Sequence, residues 1–222
     1  MLISAHFKSG FDNESPKPNS LVYVLNADEN TAIWATYDNV LDVWTKNFLG
    51  ESPDDAKQLS SNIFKSKYNS GFSYSKKAPI KALMYPEAEI YKDTVIGDLR
   101  HVSMYITQQR DINRVDVFAD TKYVFKDFKV NSVKAYKAHE DNNAFENRRG
   151  NRLFSYYVSD KDSLSLEFSI PKDQETKFKI YESSFDLLSN PLFTIPERSE
   201  SMMPKPFILN DAVIITKTIQ IN

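Results

Sequence analysis

Histidine is the side chain most often used for acid–base chemistry near neutral pH, and this chain has three of them. His139 and Glu140 begin like the zinc-binding sequence HExxH, in which a second histidine follows after two further residues. That position is occupied by Asn143, so the motif is absent. The surrounding sequence, HEDNNAFENRRG, is polar and typical of a loop, and it gives no indication of a metal site.

The other two histidines are interpreted as residues on the faces of strands. His101 alternates along the chain with apolar positions of a predicted strand, and His6 does the same near the start of the sequence. No pattern pairs either of them with a nucleophile. A free-standing β-sandwich enzyme therefore stays possible only if folding brings a histidine and carboxylates into one pocket.

Other motifs for catalysis and for cofactors are also missing. The five glycines, at positions 10, 50, 71, 97 and 150, are too scattered for a nucleotide-binding loop, and no serine lies in a GxSxG sequence. Acidic pairs such as Asp54-Asp55 and Glu140-Asp141 are expected among 30 carboxylates and indicate solvated charge. The absence of cysteine excludes disulfides and thiolate metal sites. We therefore predict no catalytic, cofactor-binding or metal-binding residue in this chain.

Charge and hydropathy limit the partners. The net charge of −2 argues against a nucleic-acid partner, because the one small basic cluster, Arg148, Arg149 and Arg152, is explained by a turn before a strand. No run of about 18 apolar residues exists, so this segment is not expected to insert into a membrane.

Short alternating segments dominate the chain and predict a mostly β fold, an antiparallel, jelly-roll-like β-sandwich. A hairpin is predicted from residues 21–25 and 32–37 around the turn Asp28, Glu29 and Asn30. The segment from Leu164 to Ile170 alternates apolar residues with Ser165, Glu167 and Ser169, which indicates one wet face. Further strands are predicted at residues 3–7, 72–75, 88–91, 99–108, 115–118, 123–130, 153–158, 178–181 and 212–221.

One or two short helices are expected in the N-terminal third. The first has Asp38 as its N-cap, an apolar face that includes Trp44, and Gly50 just past its end. The second is predicted over residues 52–64, with Ser52 as its cap. We expect one β-sandwich domain over residues 1–222, with a helical insertion at about 38–66.

Three longer segments of the chain are PNSLVYVLNADENTAIWATYDNVLDVWTKNFLG (18–50), RGNRLFSYYVSDKDSLSLEFSIP (149–171) and YESSFDLLSNPLFTIPERSESMMPKPFILNDAVIITKTI (181–219). Together they resemble the C-terminal soluble domain of bacterial, Bacteroidetes-like relatives of the vacuolar membrane protease and endoplasmic-reticulum metallopeptidase family.

The resemblance implies a parent polypeptide with an N-terminal zinc aminopeptidase-type domain, then transmembrane helices, then this domain at the periplasmic or extracytoplasmic face. Zinc would belong to the peptidase domain, and no residue of this chain matches its ligands. The partners implied are the peptidase and transmembrane domains of the same polypeptide, with a homo-oligomer as a further possibility. The expected function is that of a non-catalytic accessory domain for substrate access, docking or assembly.

The segment from Ser189 to Asn210 combines four prolines with apolar residues and has no regular period. It is interpreted either as a strap over the domain's own core or as a docking segment, with Met202, Met203 and Phe207 as the surface for a partner.

The alternative function is a stand-alone β-sandwich module that binds carbohydrate or protein. Such a module predicts exposed aromatic residues on one sheet face, with Trp34, Tyr156 and Tyr157 as candidates. Trp44 is instead expected in the core, because it shares the apolar face of the first helix.

Overall fold

The computed structural model describes residues 10–56, 71–135, 143–159 and 163–221. His6, His139, the first predicted strand and residues 57–64 of the second predicted helix lie outside the described residues.

The protein is mostly β with antiparallel sheets, as the alternation predicts. One helix is described, α1 (Val43–Leu49). The strands are β1 (Lys17–Asn19), β2 (Val22–Asn26), β3 (Thr31–Thr36), β4 (Asp54–Asp55), β5 (Tyr74–Lys77), β6 (Glu87–Ile96), β7 (Leu99–Thr107), β8 (Arg114–Phe118), β9 (Phe125–Val130), β10 (Val133–Lys134), β11 (Asn143–Ala144), β12 (Arg152–Tyr157), β13 (Leu164–Pro171), β14 (Thr176–Ser184), β15 (Met202–Pro204) and β16 (Ala212–Ile221).

The chain forms two compact units. Of the described residues, unit 1 comprises 10–25, 30–56, 71–82 and 185–214, and unit 2 comprises 26–29, 83–135, 143–159, 163–184 and 215–221. The expectation of a single domain over the whole chain stays a prediction.

Unit 2 is a β-sandwich. One sheet has the order β10-β9-β13-β7-β6, with β11 also paired to β9, and the facing strands are β12, β8 and β14. Phenylalanines from both layers meet in the core, where the Phe125 and Phe178 rings stack with centroids 5.6 Å apart. The inward residues of β7 and β13, among them Met104 and Leu166, are fully buried. Burial of these alternate positions is what holds the register of the two strands.

Unit 1 contains β2, β3, β5 and β4 in that hydrogen-bonded order, together with α1. Its core includes Tyr23, Trp34, Trp44 and Phe72. The short pair β1 and β15 is parallel, unlike the antiparallel pairing predicted for the strands.

The helix begins four residues after the predicted position. Asp42, rather than Asp38, is its N-cap: the Asp42 side chain accepts hydrogen bonds from the amides of Trp44 and Thr45. Asp38 is buried and accepts from the backbone amide of Ser20 at 2.8 Å. Burial alone would raise the pKa of Asp42, but hydrogen bonds from Thr45 and Asn19 hold it below its ordinary value.

The start of the second predicted helix is wrong. Asp54 and Asp55 form the strand β4 instead of a first helical turn, and they pair with Ser75 and Tyr74 of β5. Capping residues also occur in turns and at strand ends, so Ser52 and Pro53 alone could not distinguish the two outcomes.

Candidate functional site

A concave polar surface lies on unit 2, on the outer face of the sheet that contains β6, β7, β13 and β9. It is an open groove of about 380 Å³, and we call it the outer groove. Its lining residues are Lys92, Thr94, Ile96, His101, Val102, Ser103, Asp127, Lys129, Glu167, Phe168 and Ser169.

Alternation along β7 and β13 places the polar side chains of the groove. In β7, the buried residues Val102 and Met104 face the core, so His101 and Ser103 face outward. The antiparallel register pairs Ser169 with His101 and Glu167 with Ser103. Directly opposed residues lie on the same face of a sheet, so the four side chains form one polar patch.

Irregularities in the flanking strands border this patch. The register of β6 against β7 shifts between Ile90 and Lys92, and that of β9 against β13 shifts between Glu167 and Ser169. The shift in β9 occurs at Asp127, whose φ of 49° lies in the left-handed region that aspartate tolerates better than most residues. Bulges bend and twist strands locally, which accounts for a concave face here.

His101 and Ser169 form a hydrogen bond across β7 and β13. The Ser169 hydroxyl oxygen lies 2.8 Å from His101 Nδ1, and the Ser169 side chain is buried. A serine nucleophile must be accessible to substrate, and Ser169 is buried. The pair is therefore better suited to fixing the imidazole ring than to nucleophilic chemistry.

The two carboxylates of the groove are each neutralised by a lysine. Lys129 Nζ lies 3.0 Å from a carboxylate oxygen of Glu167, and Lys134 Nζ lies 3.0 Å from one of Asp127. Lys92, in contrast, has no ion-pair or hydrogen-bond partner among the described side chains. Because each groove carboxylate is ion-paired with a lysine, the charge of Lys92 gives the groove an excess of positive charge.

Two stacked tyrosines lie on the same outer face beyond Ser103. The rings of Tyr91 and Tyr105 are 4.5 Å apart between centroids, and both side chains are exposed. The proximity of Tyr91 raises the pKa of Tyr105, and the carboxylates of Glu167 and Glu89 add to this effect.

The described residues contain no group of three or more His, Asp or Glu side chains that could hold a metal ion. The outer groove instead combines fixed hydroxyl groups, matched ion pairs and one unpaired lysine. Such an arrangement can bind a polar ligand.

Glu182 is a second unusual group in unit 2. Its side chain is fully buried, and neither carboxylate oxygen has a hydrogen-bond partner among the described residues. It lines a cavity of about 10 Å³, roughly the space for one water molecule, together with Gln108 and Tyr156. Burial raises the pKa of Glu182 to about 7, and the nearby Arg110 opposes this effect. Its one signal in the sequence is an acidic residue at an apolar position of β14.

The strap interpretation of the proline-rich segment is confirmed for its first half. Phe193 is buried and packs edge-on against Tyr23 at 4.8 Å. The Trp44 indole donates a hydrogen bond of 2.7 Å to the carbonyl of Pro196. The Arg198 guanidinium lies over the Trp44 ring at 4.1 Å and pairs with both carboxylate oxygens of Asp211.

The predicted docking residues lie in the second half of the same segment. Met202 and Met203 belong to β15, which pairs with β1, and Met203 is 37% exposed. Phe207 is 61% exposed. A partner surface at these three residues stays a prediction.

The aromatic platform predicted from Trp34 is wrong, because only 8% of that side chain is exposed. Trp44 is in the core, as predicted. Tyr156 packs against the core of unit 2, whereas Tyr157 is 67% exposed beside the Arg114 guanidinium. Arg148 donates hydrogen bonds to the carbonyls of Ala119 and Asp120, which agrees with a structural role in a turn.

Part of the outer groove could be predicted from the sequence. The wet face of β13 and the position of His101 opposite the apolar side of β7 are both confirmed. Lys92 and Asp127 were missed, because bulges rather than regular alternation determine where their side chains lie.

No helix among the described residues is long and apolar enough to cross a membrane. Comparison with protein-family models and with curated proteins gives no significant match for this chain.

Proposed function

We propose that this chain is a non-catalytic recognition domain that serves as the extracytoplasmic accessory domain of a membrane-bound zinc metallopeptidase. The observation that carries the recognition role is the outer groove. Its histidine is engaged by a buried serine and its carboxylates are matched by lysines, so its groups are preorganised for binding.

The peptidase parent is supported by the resemblance of residues 18–50, 149–171 and 181–219. An accessory domain would contribute by holding substrate near the peptidase or by controlling access to it, and neither role requires a catalytic residue here. Zinc would be bound by the peptidase domain.

The first test is the coding sequence on both sides of this chain. The proposal expects several hydrophobic spans of about 20 residues, preceded by a peptidase domain rich in His, Asp and Glu ligands. A gene without these segments would contradict the peptidase parent.

The second test uses the full polypeptide with the substitution Glu167→Lys, which breaks the matched pair with Lys129. We expect a higher KM for peptide substrates with unchanged zinc content, because the change alters a binding surface and not the metal site. A matched control is Glu175→Lys, which makes the same charge change at an exposed position outside the groove. Equal kinetics for both variants and the natural protein would contradict a role of the groove in substrate recognition.

A stand-alone binding module is the second candidate. It is favoured by the stacked pair Tyr91 and Tyr105, since exposed aromatic rings on a sheet face can stack on sugars. Binding of an oligosaccharide such as cellohexaose by the isolated chain, lost in Tyr91→Ala, would support it.

A further inference from the structure

The strand β6 presents an exposed edge beside the outer groove. It is ten residues long, every one of its residues is exposed, and among the described strands it pairs only with β7. Among the described residues no strand pairs with the backbone amides and carbonyls on its other side, which is the edge that a further strand can join.

The part of β6 beyond its bulge is regular. From Lys92 to Ile96 its residues pair one-to-one with β7, and Lys92, Thr94 and Ile96 all line the groove. An added strand would place every second side chain on the groove face, next to one of these three residues.

Charge identifies the chemistry of that strand. Asp93 is the one acidic residue in this part of β6, and it lies opposite the buried Val102 of β7. The Arg100 side chain donates a hydrogen bond of 2.8 Å from Nε to the Asp93 carboxylate. This hydrogen bond lowers the pKa of Asp93 below its ordinary value. The groove carboxylates are matched by Lys129 and Lys134, so Lys92 is the unmatched charge. A carboxylate on the incoming strand would complement it.

We propose that residues 92–96 of β6 bind an extended acidic peptide as an additional antiparallel strand. Its Asp or Glu side chain pairs with Lys92, a hydroxyl side chain lies beside Thr94, and an apolar side chain lies beside Ile96. Read along the peptide, the recognised pattern is apolar-x-hydroxyl-x-acidic. This inference rests on the recognition role proposed above and names its ligand.

The test uses the 222-residue chain and the blocked, fluorescently labelled heptapeptide Ser-Val-Ser-Thr-Ser-Glu-Ser. A second peptide has Gln in place of Glu, and a third has N-methyl groups on alternate backbone amides. We expect the Gln peptide to bind about tenfold more weakly, since one charged hydrogen bond is lost. The N-methylated peptide should lose binding, because it cannot pair as a strand.

The variant Lys92→Gln should bind the Glu peptide about tenfold more weakly and should no longer distinguish Glu from Gln. Lys177→Gln is the matched control: it removes the same charge from an exposed position on β14, and both peptides should bind as they do to the natural chain. In NMR spectra, the amide shifts induced by the Glu peptide should be centred on residues 92–96.

Equal binding of the Glu and Gln peptides, or a preference that survives in Lys92→Gln, would overturn the inference. Self-association of the chain through β6 would also overturn it, because the edge would then accept a second copy. Binding of cellohexaose without any binding of peptide would overturn this inference and leave the recognition role standing. A coding sequence without a peptidase domain would contradict the proposed parent and leave the peptide result unaffected.

Discussion

At the scale of single residues, Glu182 and Lys92 are charged groups that no described side chain neutralises by an ion pair or a hydrogen bond. Lys92 is exposed, so water solvates it at little cost until a ligand arrives. Glu182 is fully buried without a hydrogen-bond donor, so its ionised form is costly. The exposed charge of Lys92 favours binding of a ligand, whereas the buried carboxyl group of Glu182 links the stability of unit 2 to pH.

Replacing Glu182 with Gln should remove a pH dependence of the free energy of unfolding. The folded chain holds the Glu182 proton up to a pKa of about 7, against an ordinary value of 4.5. Between these two values the folded state binds more protons than the unfolded state, so stability is lost as the pH rises. Two to three pKa units correspond to about 3 kcal/mol in total.

Urea unfolding followed by circular dichroism at pH 5 and pH 8 provides the measurement. Glu182→Gln should resemble the natural chain at pH 5 and be the more stable of the two at pH 8, since Gln mimics the protonated carboxyl group. Glu175→Gln, at an exposed site, should leave the pH profile unchanged. Parallel profiles for the natural chain and Glu182→Gln would show that the buried carboxyl does not control this dependence.

At the scale of elements, the strap shows how a segment without regular secondary structure is held in place. Phe193 supplies a buried ring, Trp44 donates to Pro196, and Arg198 lies between Trp44 and Asp211. Prolines reduce the conformational freedom of the unfolded segment, so fewer contacts are needed to order it.

The substitution Phe193→Ala should destabilise unit 1 by about 3 kcal/mol, because it removes a buried ring and leaves a cavity. Leu192→Ala is its matched control: the neighbouring side chain is 38% exposed, and a change within about 0.5 kcal/mol is expected. Trp34 and Trp44 both belong to unit 1, so tryptophan fluorescence during urea unfolding reports on it directly. Equal losses for the two variants would mean that the strap is not anchored through Phe193.

At the scale of the whole molecule, the described residues combine a β-sandwich unit with an open polar groove and show no group able to hold a metal ion. Under the proposed function, a zinc peptidase domain of the same polypeptide would carry out the chemistry.

The accessory role predicts that the purified 222-residue chain binds no zinc and cleaves no peptide, because its described residues contain no group of metal ligands and the serine beside His101, Ser169, is buried. Elemental analysis after dialysis against zinc, together with a fluorogenic peptide assay, measures both properties. The complete parent polypeptide is the positive control. Stoichiometric zinc or peptide hydrolysis by the isolated chain would contradict the accessory role.

Amino-acid alternation located most strands of unit 2, although β6 was predicted only over residues 88–91 and the short strands β10 and β11 were not predicted. The pattern of Leu164 to Ile170 and of Leu99 to Thr107 determines which side chains are buried, so the faces of β13 and β7 follow from local sequence. Burial of the alternate apolar side chains stabilises the sheet strongly, and a register slip of one residue would turn those side chains toward water. The helix was located, but its start was misplaced, because both Asp38 and Asp42 can cap and only packing selected between them.

Tertiary structure decided the features that depend on contacts between distant residues. Bulges at Tyr91 and Asp127 place Lys92 and Asp127 beside the groove, and local alternation does not show where a register will shift. The pairing of Lys129 with Glu167 across two strands leaves Lys92 as the unmatched charge. Glu182 became unusual only when strands from both layers of unit 2 closed around it. Local periodicity thus determined the strands and their faces, whereas charge balance and burial at the site arose from neighbours that the chain brings together only on folding.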